Sequence, residues 1–136
     1  TEQNDEMKLN LIWIISGIAE FHSQKINSLI QESIEEELHS YLGGICNNLE
    51  CHVIKVGGYT DHIHILCMLS KKVALMKLLE ELKSHSSKWI KTKGAAFANF
   101  SWQNGYGAFS VNPAEVERVI QYIANQKEPY TPNCRK

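Results

Sequence analysis

The sequence predicts an α+β domain of ferredoxin-like type: an antiparallel four-stranded sheet in split β-α-β order, two helices on one face, and an additional C-terminal helix. Three observations carry that expectation. Strand-like apolar runs alternate with segments of helical apolar spacing in the order β-α-β-β-α-β-α. The connection from Gly57 to Asp61 is short enough for its flanking strands to form a hairpin. Asn112-Pro113 then opens a last helix. The 136 residues suit a single domain over 1–136, with an acidic N-terminal tail at 1–8 and a C-terminal tail at 128–136.

Residues 9–21 (LNLIWIISGIAEF) are rich in Ile, Leu and Trp and read as strand, ending near Gly17. Lys25 to Tyr41 places Ile26, Leu29, Ile30, Ile34, Leu38 and Tyr41 at helical spacing, with glutamates filling the outside, and Gly43-Gly44 is expected to stop that helix. Leu49 to Val56 is a second strand closed by Gly57-Gly58, and His62 to Leu69 is a third. Val73 to Ile90 carries Leu75, Leu78, Leu79, Leu82 and Trp89 and reads as the second helix. After irregular residues 94–105, Tyr106 to Val111 forms a short fourth strand. Asn112 can cap the next helix, Pro113 suits its first position, and Glu115 has capping-box spacing. That helix is expected to reach about Lys127, before Pro129 and Pro132. Two helices on one sheet face leave the other open to a partner or ligand.

Composition narrows the class. Apolar residues at 43% and charged residues at 21% exclude a disordered chain. The longest apolar stretch falls well short of the roughly 20 residues of a membrane span. The first eight residues (TEQNDEMK) are acidic, where a signal peptide begins basic. Cysteines at 46, 51, 67 and 134 contain no C-x-x-C pair, so reduced thiols are expected. Cys46, Cys51 and His52 match no common zinc spacing. The net charge of −1 hides an asymmetry: residues 1–50 hold two bases against nine acids, and residues 51–136 hold twelve against six. Lys71 to Lys93 contains seven lysines, a stretch that suits either a polyanion or plain solvation of a helix face.

His62-Ile63-His64 puts two imidazoles on the same side of one strand. Such a pair can share a metal ion or contact a phosphate, or can be two histidines of a half-exposed strand. A metal needs further donors. Tyr122 and Gln126 lie four apart on the last helix, hence on one helix face. The apolar stripe there is Val116, Val119, Ile120 and Ile123, and Tyr122 lies about 110° from its centre. The parts are joined by phosphodiester transfer. A tyrosine hydroxyl, with a reference pKa of about 10, becomes a competent nucleophile when a divalent ion polarises the phosphate. Histidines with an amide oxygen suit Mg²⁺ or Mn²⁺ in that role. Tyr59, in the hairpin, is a rival nucleophile.

Asp61-His62-Ile63-His64-Ile65-Leu66, Trp102-Gln103-Asn104-Gly105-Tyr106-Gly107-Ala108-Phe109-Ser110-Val111 and Tyr122-Ile123-Ala124-Asn125-Gln126 together resemble the single-tyrosine HUH transposases of the insertion-sequence 200/605 type. The motifs stand in the family's order, and Leu11 to Ser16 is similar to its first strand. The resemblance implies that His62 and His64 are metal ligands, that Gln126 completes the metal site, and that Tyr122 cleaves single-stranded DNA, keeping a 5′-phosphotyrosine link. It also implies Mg²⁺ or Mn²⁺ as cofactor, a short DNA hairpin as partner, a homodimer with active sites shared between subunits, and a prokaryotic cytoplasmic location. After Gln126 many members continue with a His-rich basic stretch, where this chain reads Lys127-Glu128-Pro129-Tyr130.

Lys71, Lys72, Lys77, Lys83 and Lys88 are candidates for phosphate contact, and Trp102 and Tyr106, with Phe109, for stacking on unpaired bases or for packing. A non-catalytic single-stranded nucleic-acid-binding module is the alternative from another class. A domesticated relative acting on host repeat hairpins would share the transposase chemistry.

Overall fold

The computed structural model describes residues 11–18, 32–59 and 61–126. Four strands form one antiparallel sheet: β1 (Leu11–Gly17), β2 (Val53–Tyr59), β3 (His62–Met68) and β4 (Gly107–Ser110), in the spatial order β2-β3-β1-β4. The helices are α1 (Glu32–Asn48), α2 (Leu75–Lys91) and α3 (Val116–Ala124). This is the α+β, ferredoxin-like arrangement the sequence predicts. Among the described residues no helix is long and apolar enough to cross a membrane.

Strand alternation sends the side chains to two separate cores. Ile14 of β1 and Ile63, Ile65 and Cys67 of β3 pack against Leu38, Leu42 and Cys46 of α1 and Leu78, Leu79 and Leu82 of α2. On the opposite face, Leu11 and Leu66 pack with Val111 and with Val119 and Ile123 of α3. The face expected to be open therefore carries α3, lying over β2 and β3. Cys46, Cys51 and Cys67 are free thiols with no exposed surface. Burial raises the Cys51 thiol above its ordinary value, against the Ser70 N–H that donates to its sulfur.

Several boundaries differ from the sequence expectation. Gly43-Gly44 does not stop α1, which runs to Asn48. Neither glycine has positive φ, and Leu38, Leu42 and Cys46 carry one buried stripe past them. The helix is ended at Glu50, in the left-handed region at φ 64°, with Cys51 N–H donating to Cys46 O at 2.8 Å. The portion of that helix expected before Glu32 lies outside the described residues.

Gly57-Gly58 does not close β2 but lies inside it, and the hairpin turns between the paired residues Tyr59 and His62. Gly58 has φ 144°, and a Cβ there would collide with the His62 carbonyl oxygen. A Cβ on Gly57 would sit 2.6 Å from Ile123 Cγ2 and 2.9 Å from the Ile123 carbonyl oxygen. The glycines thus permit two close approaches, one by the hairpin partner and one by α3.

The last helix begins as expected at Asn112, whose Oδ1 accepts from Ala114 N–H at 3.0 Å. Its first turn, Pro113–Glu115, is a 3₁₀ turn. Glu115 does not close a capping box; its carboxylate meets Arg118 Nε at 3.3 Å. The helix ends at Ala124, with Asn125 as its C-cap, short of the end expected near Lys127.

Candidate active site

β3 delivers His62, His64 and Leu66 to the face that α3 covers, while Ile63, Ile65 and Cys67 fill the other core. Both histidines are buried, at 1% and 3% exposure, with ring centroids 4.9 Å apart. His64 pairs in register with Gly57, the position over which Ile123 is seated. Seating α3 there brings Tyr122 over the sheet. Its ring stands edge-on to His64 at 5.8 Å and to Trp13 at 5.5 Å, and it stays 48% exposed.

Gln126 follows the end of α3. Its Nε2 donates to the Tyr122 carbonyl at 3.1 Å, which turns Oε1 toward His62 Nε2 at 3.2 Å. The same side chain also acts on His64, favouring its protonated form. His62 Nδ1 meets Asp61 Oδ1 at 2.8 Å. The 3.2 Å between His62 Nε2 and Gln126 Oε1 is close to the about 3 Å between neighbouring ligands of a small octahedral cation. Asp61 behind His62 is also the usual outer partner of a ligating imidazole. Burial, and then the proximity of His62, lower His64 to about 4 against the Gln126 bond, so its ring is neutral at pH 7. His62, His64 and an amide oxygen are donors of a kind that fits a divalent ion; to bind it, His64 gives up the Trp13 N–H that its one lone pair accepts. Among the described residues no group of three or more His, Cys, Asp and Glu is placed to hold a metal.

The other sequence candidates stand elsewhere. α2 lies across the sheet from the two histidines. Lys77 pairs with Glu81 at 3.2 Å and Lys88 is exposed on the same helix. Lys71 and Lys72 follow β3, with Lys72 Nζ 3.5 Å from Glu50. Lys83 Nζ donates to the carbonyls of Gln103 at 3.0 Å and Gly105 at 2.8 Å, and burial lowers its pKa. The Trp102 indole donates to Ser86 Oγ at 3.0 Å, and its ring stands edge-on to Phe100. Tyr106 Oη lies 3.5 Å from Met76 Sδ of α2. Gln103 lies against Gly17, where its Oε1 would be 2.5 Å from an added Cβ. Tyr59, the rival nucleophile, is half-buried and opposite His62 in the hairpin. Sequence reasoning gave no role to Asp61 and overlooked Trp13. The one available signal for Trp13 was its strand parity, opposite to that of Ile12 and Ile14.

Two histidines, a glutamine and an exposed tyrosine thus meet on one covered face of an antiparallel sheet, and comparison with known proteins gives the class of protein that carries them. The family described as "Transposase IS200 like" matches residues 7–126. The chain belongs to the IS200-like transposase family, and transposase activity is the enzymatic activity of that family. A candidate transposase from Deinococcus radiodurans R1, solved at 1.90 Å, is similar at TM-score 0.61 and 15% identity, over 88% of this chain and 92% of that one. The REP-associated tyrosine transposase bound to a REP hairpin is similar at TM-score 0.60 and 14% identity. That match covers 84% of this chain and 64% of the other, so this chain spans just under two thirds of that protein's length. A search of curated proteins gives no match.

Proposed function

We propose that the chain cuts and rejoins single-stranded DNA at hairpin-marked element ends through a 5′-phosphotyrosine link on Tyr122, with Mg²⁺ or Mn²⁺ held by His62, His64 and Gln126. One observation carries this reading: Tyr122 lies against His64 at 5.8 Å on the face where His62 and Gln126 direct donor atoms at each other across 3.2 Å. When bound, the ion supplies Lewis-acid polarisation of the scissile phosphate. Asp61 orients His62, and the Tyr122 carbonyl orients Gln126. The Tyr122 hydroxyl oxygen attacks phosphorus and its proton passes to solvent. The bond from phosphorus to the 3′ oxygen breaks, and that oxygen takes up a proton. In rejoining, a 3′-hydroxyl attacks the same phosphorus and the tyrosine oxygen leaves with a proton. Each step exchanges one ester bond for another, so the bond energy is kept for religation. The hairpin bound by the solved REP-associated neighbour supports hairpin DNA as the ligand. It equally suits a relative acting on host repeat hairpins, whose chemistry is the same.

The test is covalent capture. The purified full chain is mixed with single-stranded DNAs carrying random hairpins, with Mn²⁺ or with chelator, and resolved on a denaturing gel. The expected result is a metal-dependent adduct mapping to the Tyr122 peptide, with Tyr122→Phe binding DNA but forming none. An adduct in the Phe variant sinks the assignment of the nucleophile. Hairpin binding with neither metal nor adduct makes the chain a binding module. The trapped sequences separate element ends from host repeats. We extend the proposal to a homodimer with shared sites: mixing Tyr122→Phe with His64→Ala chains then restores adducts, and no restoration assigns each site to a single chain.

A further inference from the structure

We infer that Phe109, backed by Trp13, is the platform on which the unpaired base beside the scissile phosphate stacks; this rests on the reading of Tyr122 as the nucleophile. Phe109 is 52% exposed, unusual for a phenylalanine, and lies outside the apolar cluster that α3 covers. It sits opposite Trp13 in the β1–β4 register, with ring centroids 5.9 Å apart at 59°. Trp13 also meets the ring of Tyr122, edge-on at 5.5 Å. One indole therefore touches both the exposed phenyl ring and the exposed phenol.

The strand is shaped for that ring. A Cβ on Gly107 would lie 3.3 Å from Phe109 Cε2, so the ring lies back over a position with no side chain. β4 is an edge strand, so a chain can reach the ring from the side. Of the three aromatics that the fourth-strand motif offers for stacking, Tyr106 is turned to Met76 and Trp102 is bonded to Ser86. Phe109 alone of the three shares the face of Tyr122. A flat apolar ring linked through Trp13 to the phenol and to the His64 imidazole matches the two halves of a nucleotide: a base to stack, and a phosphate for the nucleophile.

The experiment uses the strand captured by the wild-type chain, whether by adduct or by binding, with an abasic nucleotide placed in turn at each position flanking the cleaved linkage. Binding is measured in a Tyr122→Phe background, and adduct formation in the native one. Phe109→Leu should weaken binding about tenfold, and Phe109→Trp should restore it. One abasic position should weaken wild type by the same factor and leave Phe109→Leu unmoved, because the two changes remove the same contact. Gly107→Ala, which displaces the ring, should resemble Phe109→Leu. Equal binding by Phe109→Leu, or an abasic penalty that it retains in full, overturns the platform. So does a change of oligomeric state in sedimentation with DNA affinity intact, which gives the face to a second copy of the chain. A wild-type chain that binds but forms no adduct refutes the nucleophile, while the abasic coupling still decides the role of Phe109.

Discussion

The indole N–H of Trp13 donates to Nδ1 of His64 across 3.0 Å. A neutral imidazole carries one proton, so accepting at Nδ1 places it on Nε2. Burial and the neighbouring His62 hold His64 at about 4, so at pH 7 the metal-free ring is one neutral tautomer. Two-bond ¹H–¹⁵N spectra should show the Nε2–H form in the wild-type chain and a mixture in Trp13→Phe. A wild-type spectrum of the Nδ1–H form would contradict the hydrogen bond.

Acid should destabilise the fold well before the carboxylates titrate. His39 is lowered to about 4, by burial first and then by Lys55, and its Nε2 is buried with no hydrogen-bond partner among the described residues. His64 is lowered to the same value. In the unfolded chain both protonate near the reference value of about 6.5, so the unfolded state binds more protons. The stability they contribute is present above that value and is lost as pH falls from 6.5 toward 4. At pH 5 the loss is roughly 1–2 kcal/mol per histidine. Urea midpoints at pH 7 and pH 5 measure it, and His39→Gln should remove about half of the drop.

Two glycine positions predict opposite signs. Gly57→Ala forces a Cβ against the Ile123 backbone, which cannot yield without moving α3. A loss of about 1–3 kcal/mol and a fall in Tyr122 adduct are expected together. Gly44 lies mid-helix with nothing within 4 Å of an added Cβ. Gly44→Ala should stabilise by about 0.5–1 kcal/mol and leave adduct formation unchanged. Thermal melts and the capture gel read both.

Lys83→Met removes the donor to the Gln103 and Gly105 carbonyls. The expected cost is about 1–2 kcal/mol. Faster hydrogen exchange at the Gln103 amide, now bonded to Gly17 O at 2.9 Å, localises it. Unchanged exchange there would place the role of Lys83 elsewhere.

Periodicity was enough for the element order and for the parity that puts His62 and His64 on one face. Helical spacing placed Gln126 near Tyr122 but not on its helix face: α3 ends at Ala124, and Gln126 reaches back by donating to the Tyr122 carbonyl. The glycine pairs were misread because packing with residues distant in sequence carries an element past its glycines. Gly43 has Val53 across from it, and Gly57 has Ile123. The helix on the second sheet face was hidden for the same reason: Leu11, Leu66 and Val119 are far apart in sequence and meet only through the sheet. The indole beside His64 belongs to that class, since 51 residues separate donor from acceptor.

The three core thiols also give the protein an internal clock. Cys46 on α1, Cys51 in the connection to β2 and Cys67 on β3 all have zero exposure. An alkylating reagent reaches them only in molecules whose main core has opened, so its rate at each cysteine reads the frequency of that opening. In a Cys134→Ser background, labelling at residues 46 and 67 should proceed in step if helix and sheet part as one unit. A faster rate at 51 would mark the α1–β2 connection as the first seam to yield.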